Sequence, residues 1–267
     1  MTNSTNWFES GGEQYAQYRP QYPESLGKVL ASLTKERHKA LDIGCGTGQL
    51  TTILANHFDK VTGIDPSESQ IHNAKPHPNI SYDVANAEEL PTSLSDINLI
   101  TVAQAAHWLD LPKFYQEIKK VSAPNALLAL ISYGILQSDA HIKARFDQFY
   151  HQEIGSYWPS ERKMVEEGYQ NIHFPFPEIP VQDAEIKLEW NFEAFMGYIS
   201  TWSAVRKAQD AGKTALLLRF HQDILELWGD PKQLRIMTWP IKMRVGKIHE
   251  SLRKDSEIDY IKGDRFF

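Results

Sequence analysis

Leu41-Asp42-Ile43-Gly44-Cys45-Gly46-Thr47-Gly48 is an apolar run that ends in an acid and then alternates glycine with small residues. The run Ala40 to Ile43 is strand-like, and the glycines allow a sharp turn. Leu50, Ile53, Leu54 and Phe58 then share one helical face, and Lys60 to Ile64 reads as a second strand. The segment is therefore a strand, turn, helix, strand unit. Upstream, Leu26, Val29, Leu30 and Leu33 recur at helical spacing behind Pro23. Downstream, a capping box at Ser67 to Gln70 opens a short helix, and Asn79 to Val84 and Ile97 to Val102 read as strands. Asp110 and Pro112 start a helix with Leu111, Phe114, Ile118 and Val121 on its buried face; Pro124 stops it before a strand from Ala126 to Ser132. Five strands separated by helices imply a mostly parallel, doubly wound α/β sheet.

After Tyr133 the pattern changes to longer helices, expected at Ala140 to His151, Phe192 to Lys207 and Thr214 to Trp228, with a proline and aromatic stretch from Phe174 to Pro180. This half reads as a lid. Glu185 to Phe192 and Ile236 to Ile248 alternate like strands that finish the sheet, and the mixed charges from Glu161 to Glu167 look like a solvated helix face. The 267 residues are 42% hydrophobic and 23% charged, ordinary globular usage. A net charge of −6 without a long Lys/Arg block argues against a nucleic-acid partner. Cys45 is the single cysteine, which excludes an intrachain disulfide and a cysteine-clustered zinc site. The polar start from Met1 to Trp7 and the lack of an apolar run near the ~20 residues of a membrane span lead to the expectation of a cytoplasmic chain with no membrane partner.

Glycines after a parallel strand let the backbone approach a ligand, and Asp65 ends the next strand 21 residues beyond Gly44, where a carboxylate accepts from ribose hydroxyls. A dinucleotide fingerprint shares this topology but needs a third glycine at Gln49, to seat a pyrophosphate on the helix. Here the third glycine comes one residue early, at Gly48. A nucleoside without a pyrophosphate fits that departure better than a nicotinamide cofactor.

Asp42 to Gly48, Asp65, Asn86-Ala87-Glu88-Glu89-Leu90-Pro91 and Leu99 to Val102 resemble class I S-adenosylmethionine-dependent methyltransferases of the broad type 11 group. Tyr15 to Pro23 (YAQYRPQYP), Ala103 to Trp108 (AQAAHW) and Thr201-Trp202-Ser203 resemble the trans-aconitate methyltransferase-like subgroup. The resemblance implies a Rossmann-like fold of seven strands in the order 3-2-1-4-5-7-6. It also implies an N-terminal closing segment over 1–35, a cofactor core over 36–135, a lid with closing strands over 136–250 and a charged tail over 251–267. By the same resemblance Asp42, Gly44, Gly46 and Gly48 surround the methionine end of S-adenosylmethionine, and Asp65 holds its ribose. Asn86 and Ala87 meet the adenine with Pro66 or Ser67 nearby, Gln104 lies under the methionine part, and Tyr18 and Arg19 close over its carboxylate. Family members often carry Asp at the positions of Asn86 and Asn98.

The place after the fourth strand reads Gln104-Ala105-Ala106-His107 rather than the Asn/Asp-Pro-Pro-aromatic turn of amino-group methylases, and no acid cluster suggests a magnesium site, so no metal is expected. The acceptor is then expected to be the oxygen of a small molecule. A hydroxyl would need a base, for which His107 is best placed; a carboxylate would need a cation, and Arg19 or Arg206 could supply one. Trp108, Tyr133, Trp158, Tyr198 and Trp202 are candidate walls of the acceptor pocket, although residues spaced like Tyr198 and Trp202 on a helix usually pack into a core. A catalytically silent cofactor-binding protein with a partner-binding lid is the competing expectation. The sequence gives no oligomeric state.

Overall fold

The computed structural model describes residues 18–249. Its sheet has seven strands: β1 (Lys39–Ile43), β2 (Lys60–Asp65), β3 (Ile80–Val84), β4 (Ile97–Ala103), β5 (Ser122–Tyr133), β6 (Ala184–Trp190) and β7 (Arg235–Lys247). They lie in the order β3-β2-β1-β4-β5-β7-β6, as the resemblance implies. The first five are parallel, and β7 runs antiparallel to both β5 and β6. The expected closing strands are therefore the two that complete the sheet.

Burial on both faces explains the unbroken apolar runs of the central strands. Along β5, Leu127, Ala129 and Ile131 enter the core on one face, while Ala126, Leu128 and Leu130 enter the core on the other, as the two-residue period of a strand requires. The first face is covered by α1 (Glu24–Leu33) and α2 (Gln49–Leu54). The second is covered by α4 (Leu111–Val121), which is capped by the Asp110 carboxylate and buries Phe114, Ile118 and Val121 as expected. The short α3 (Glu68–His72) is opened by Ser67, whose hydroxyl accepts from the Gln70 N–H. The helices of the second half, α5 (Ala140–Asp147), α7 (Phe192–Ser200), α8 (Ser203–Asp210) and α9 (Thr214–Trp228), share the first-face core through Phe146, Phe195, Val205 and Phe220. Phe149 and Phe220 stack there with centroids 3.7 Å apart.

Three expectations are corrected by the structure. The helix expected over Phe192 to Lys207 is two helices broken at Thr201-Trp202. The Ser200 and Thr201 hydroxyls donate to the carbonyls of Gly197 and Tyr198, competing for the last-turn acceptors, and Trp202 is extended. The helix expected to run through His151 is α-helical only to Asp147 and widens into a π-helical turn over Gln148–Glu153. Pro124 does not precede β5 but lies within it, where the register against β4 slips between Ile97 and Leu99, so its missing N–H breaks no ladder bond. Tyr15, Ala16 and Gln17 of the motif near the start, and the tail 251–267, lie outside the described residues.

Candidate functional site

The turn after β1 is built from left-handed backbone: φ is +66° at Gly44, +55° at Gly46 and +83° at Gly48, conformations that cost little only for glycine. A side-chain carbon at Gly44 would come within 2.7 Å of the Ala105 Cβ, and one at Gly48 would collide with the Tyr82 hydroxyl. At Gly46 the nearest such neighbour is Gln70 Oε1 at 3.7 Å, an ordinary van der Waals contact, so here it is the backbone angle and not crowding that asks for glycine.

Asp65, at the end of β2, is locked to this loop. One carboxylate oxygen accepts from the Gly46 N–H and the other from the Ser67 N–H, both at 2.9 Å. Each oxygen keeps a further lone pair, and the group stays partly open to solvent. Asn86 and Ala87 follow directly on Ala85, whose N–H donates to the Asp65 carbonyl at 3.3 Å; Asn86 is exposed, Ala87 is buried, and Pro66 is exposed. The loop, Asp65, Ser67, Asn86 and Ala87 thus share one edge, the carboxyl ends of β1 to β3, where open α/β sheets bind ligands.

Asp42 sits below that edge. It is 1% exposed, and its two oxygens accept from the Thr51 hydroxyl at 2.7 Å and the Thr101 hydroxyl at 2.8 Å. Burial raises its pKa to about 6 against the lowering effect of those two bonds. Burial, with Asp42 and Asp65 nearby, pushes the Cys45 thiol upward, which leaves it inert as a nucleophile.

Beyond β4 the chain turns at Gln104, a non-glycine residue with φ +57°, whose side-chain amide donates to the Tyr133 carbonyl at 3.4 Å. Tyr169, whose side chain reaches His107, likewise has a left-handed backbone at φ +61°. The His107 Nδ1 is 3.1 Å from the Tyr169 hydroxyl, and Trp108 leans against its ring with centroids 4.7 Å apart. Burial, with a smaller contribution from Arg162, outweighs Glu161 and lowers the His107 pKa to about 4, so the imidazole is neutral at neutral pH. The Tyr22 hydroxyl is raised well above its ordinary value by burial, by Tyr133 and Tyr169, and by Asp42. It is buried without a hydrogen-bond partner among the described residues, as is the Trp158 Nε1.

The structure sorts the pocket candidates. Tyr133 is buried edge-on to Tyr22, and Tyr18 packs its ring on Gly197 of α7. Tyr198 and Trp202 are core residues: the Trp239 indole donates to the Tyr198 hydroxyl at 3.2 Å, and Trp202 is enclosed by Phe146, Tyr150, Trp158 and Tyr198. Trp108 is 66% exposed, because the three-residue turn Ala106–Trp108 buries Ala106 and swings the indole outward. Arg206 is exposed on α8, opposite the face that buries Ala204, Val205 and Ala208. Neither walls an enclosed pocket. Arg19 is half-buried.

Arg162 opens the short helix α6 (Arg162–Glu166), in the stretch expected to be a solvated face. Its side chain is instead only 17% exposed. Its Nε donates to the Tyr150 hydroxyl at 2.8 Å and to Glu166 at 3.1 Å, and its guanidinium carbon lies 5.1 Å from the centre of the Trp158 ring. Five residues are too few for a hydrophobic period to reveal that burial. Among the described residues there is no group of three or more His, Cys, Asp or Glu arranged to hold a metal, and no helix long and apolar enough to cross a membrane.

A family model described as a methyltransferase domain, of type 11, matches residues 41–130, the stretch from β1 into β5. A Dictyostelium discoideum protein described as a methyltransferase is 33% identical over 90% of this chain and 94% of its own length. An S-adenosylmethionine-dependent methyltransferase of Saccharomyces cerevisiae is 31% identical, over 47% of this chain and 46% of its own. Among solved structures, a type II methyltransferase from Anaeromyxobacter dehalogenans superposes with a TM-score of 0.83 at 37% identity, covering 88% of this chain and all of that one. With the glycine loop, its paired acids and the strand order, these likenesses place the chain in a family: it belongs to the class I S-adenosylmethionine-dependent methyltransferases.

Proposed function

We propose that this enzyme methylates an oxygen of a small molecule held between the glycine loop and the lid. The observation that carries the cofactor side is the Asp65 carboxylate, fixed at both oxygens by backbone N–H groups beside the glycine loop. Asp65 takes the ribose hydroxyls, Asn86 and Ala87 the adenine edge with Pro66 or Ser67, and Gly44 to Gly48 with Gln104 the methionine part. Tyr18 and Arg19 close that end. The buried Asp42 places negative charge under the cationic end of the cofactor without touching solvent. Bound S-adenosylmethionine supplies a methyl group on a sulfonium, which the acceptor oxygen displaces in line to leave S-adenosylhomocysteine.

On the acceptor side, a chain with a net charge of −6 and with lid aromatics joined to its main core favours a small molecule over nucleic acid. The unreactive Cys45 argues against a cysteine-assisted carbon acceptor. The resemblance of Gln104 to Trp108 to the trans-aconitate-like subgroup supports an oxygen. His107, neutral and bonded to Tyr169, orients the acceptor better than it removes a proton, and a carboxylate acceptor has no proton to lose. The test is calorimetry with S-adenosylhomocysteine, followed by incubation of a panel of small acids and alcohols with S-adenosylmethionine while adenosylhomocysteine release is measured. Binding together with turnover on an acid or alcohol is expected. No binding at millimolar nucleoside, or turnover only on amines, refutes it.

A further inference from the structure

We propose that the Tyr22 hydroxyl holds the charged end of the cofactor: its oxygen accepts from the sulfonium methyl of S-adenosylmethionine, the methyl that is transferred. The proposal rests on the cofactor placement above and adds the residue that tells the charged sulfonium from the neutral thioether of the product.

Tyr22 is unlike other enclosed tyrosines of the chain. The Tyr115 hydroxyl donates to the His173 carbonyl at 2.7 Å, and that of Tyr150 donates to Glu166. The Tyr169 hydroxyl meets His107 Nδ1 at 3.1 Å, and the Tyr198 hydroxyl accepts from the Trp239 indole at 3.2 Å. The Tyr22 hydroxyl is shut off from solvent and has no hydrogen-bond partner among the described residues. A desolvated hydroxyl left unpaired is costly, so a ligand that engages it offsets that cost.

Its surroundings suit a sulfonium. The chain from Tyr18 to Tyr22 crosses from the second half to the sheet: the Tyr18 ring packs on Gly197 of α7, and the Tyr22 ring stands edge-on to Tyr133 at the carboxyl end of β5, with centroids 6.0 Å apart. The Tyr133 carbonyl accepts from the side chain of Gln104, which the reading above puts at the methionine part. The hydroxyl is within electrostatic reach of both Asp42, the acid beneath the glycine loop, and Tyr169, the partner of His107. A sulfonium spreads its positive charge onto the methyl hydrogens, and a hydroxyl oxygen has lone pairs to meet them. Burial first, and then Tyr133, Tyr169 and Asp42, keep the Tyr22 hydroxyl protonated, so its oxygen carries no negative charge with which to take the methyl itself. A carboxylate in its place would be a competing acceptor.

Calorimetry of the unaltered protein and of Tyr22→Phe, with S-adenosylmethionine and with S-adenosylhomocysteine, tests this. The variant should bind adenosylhomocysteine within twofold of the unaltered protein, while its ratio of adenosylmethionine to adenosylhomocysteine affinity falls threefold or more. Free of ligand, it should unfold at the same or a higher urea concentration, because it loses a hydroxyl that the fold leaves unpaired. A smaller fall in the ratio overturns the proposal, as expected if a buried water takes the hydroxyl. A variant that is less stable or fails to fold also overturns it, since the hydroxyl would then have a structural partner. Failure of the unaltered protein to bind either nucleoside refutes the cofactor reading, and the proposal with it, before the variant is compared.

Discussion

Asp42→Asn is expected to stabilise the ligand-free protein at neutral and alkaline pH while weakening its hold on the nucleoside. The Asp42 carboxyl is fully desolvated, and its pKa rises from 3.8 to about 6 despite two hydroxyl donors. Between those values the folded protein holds a proton that the unfolded chain has released, so stability falls as pH rises through this window. Below it both states are protonated, and above it both are ionised, so the loss is complete above about pH 6. The window spans about two pH units, and at ~1.4 kcal/mol per unit the ionised group costs ~3 kcal/mol. Asparagine removes the charge, but its amide nitrogen must donate, so one of the Thr51 and Thr101 hydroxyls has to turn and accept. A neutral bond rebuilt in this way forfeits roughly 0.5–1.5 kcal/mol. The net expectation is a variant more stable by about 1–3 kcal/mol at pH 8. Near pH 4 the charge cost is gone and only the bond loss remains, so the variant is there less stable by about 0.5–1.5 kcal/mol. Urea denaturation of both proteins from pH 4 to 8 measures the difference, which cancels the titration of all other groups. A difference that does not vary with pH, or a variant less stable at pH 8, refutes the reasoning. Calorimetry should show weaker adenosylhomocysteine binding by the same variant, since the charge beneath the loop is the reason to tolerate its cost.

Asp65→Ala removes the acceptor fixed by Gly46 and Ser67 and should weaken adenosylhomocysteine binding by about 1.5–3 kcal/mol, roughly tenfold to a hundredfold; unchanged affinity in calorimetry contradicts the ribose role. Gly48→Ala forces a side chain into φ +83° against the Tyr82 hydroxyl, so thermal or urea melts should lose about 1–3 kcal/mol; a neutral result would mean the loop relaxes freely. His107, with its pKa near 4, should contribute no inflection to the pH–rate profile between about pH 6 and 8. A step near pH 6.5 that disappears in His107→Ala would reinstate it as a titrating base.

The proposed cofactor half of the site was legible as one edge of the sheet because its residues are local to consecutive strand ends. Gly44 to Gly48 and Asp65 belong to one strand, turn, helix, strand unit, and each glycine sits at a left-handed backbone angle that glycine adopts at the least cost. The strand order follows from the same alternation. The proposed acceptor half was not legible, because His107 with Tyr169, and Tyr150 with Trp158 and Arg162, come together from separate short elements with no shared period. Arg162 and Arg206 show the difference. Both sit in mixed-charge helical segments, yet one is buried by Trp158 and Tyr150 and the other faces outward.

That division has an energetic side. The cofactor edge is fixed by backbone hydrogen bonds and left-handed glycines, which tolerate few substitutions. The proposed acceptor side is fixed by aromatic packing that joins the helices of the second half to the main core, with Trp202 against Phe146, Tyr150 and Trp158. Aromatic walls accept changes in volume at a modest cost when neighbours repack, whereas a left-handed glycine or a carboxylate held by backbone N–H groups has no replacement of another size. Substitutions among the wall residues should therefore change which acceptor fits, and a change at Gly48 or Asp65 should decide how tightly the nucleoside is held.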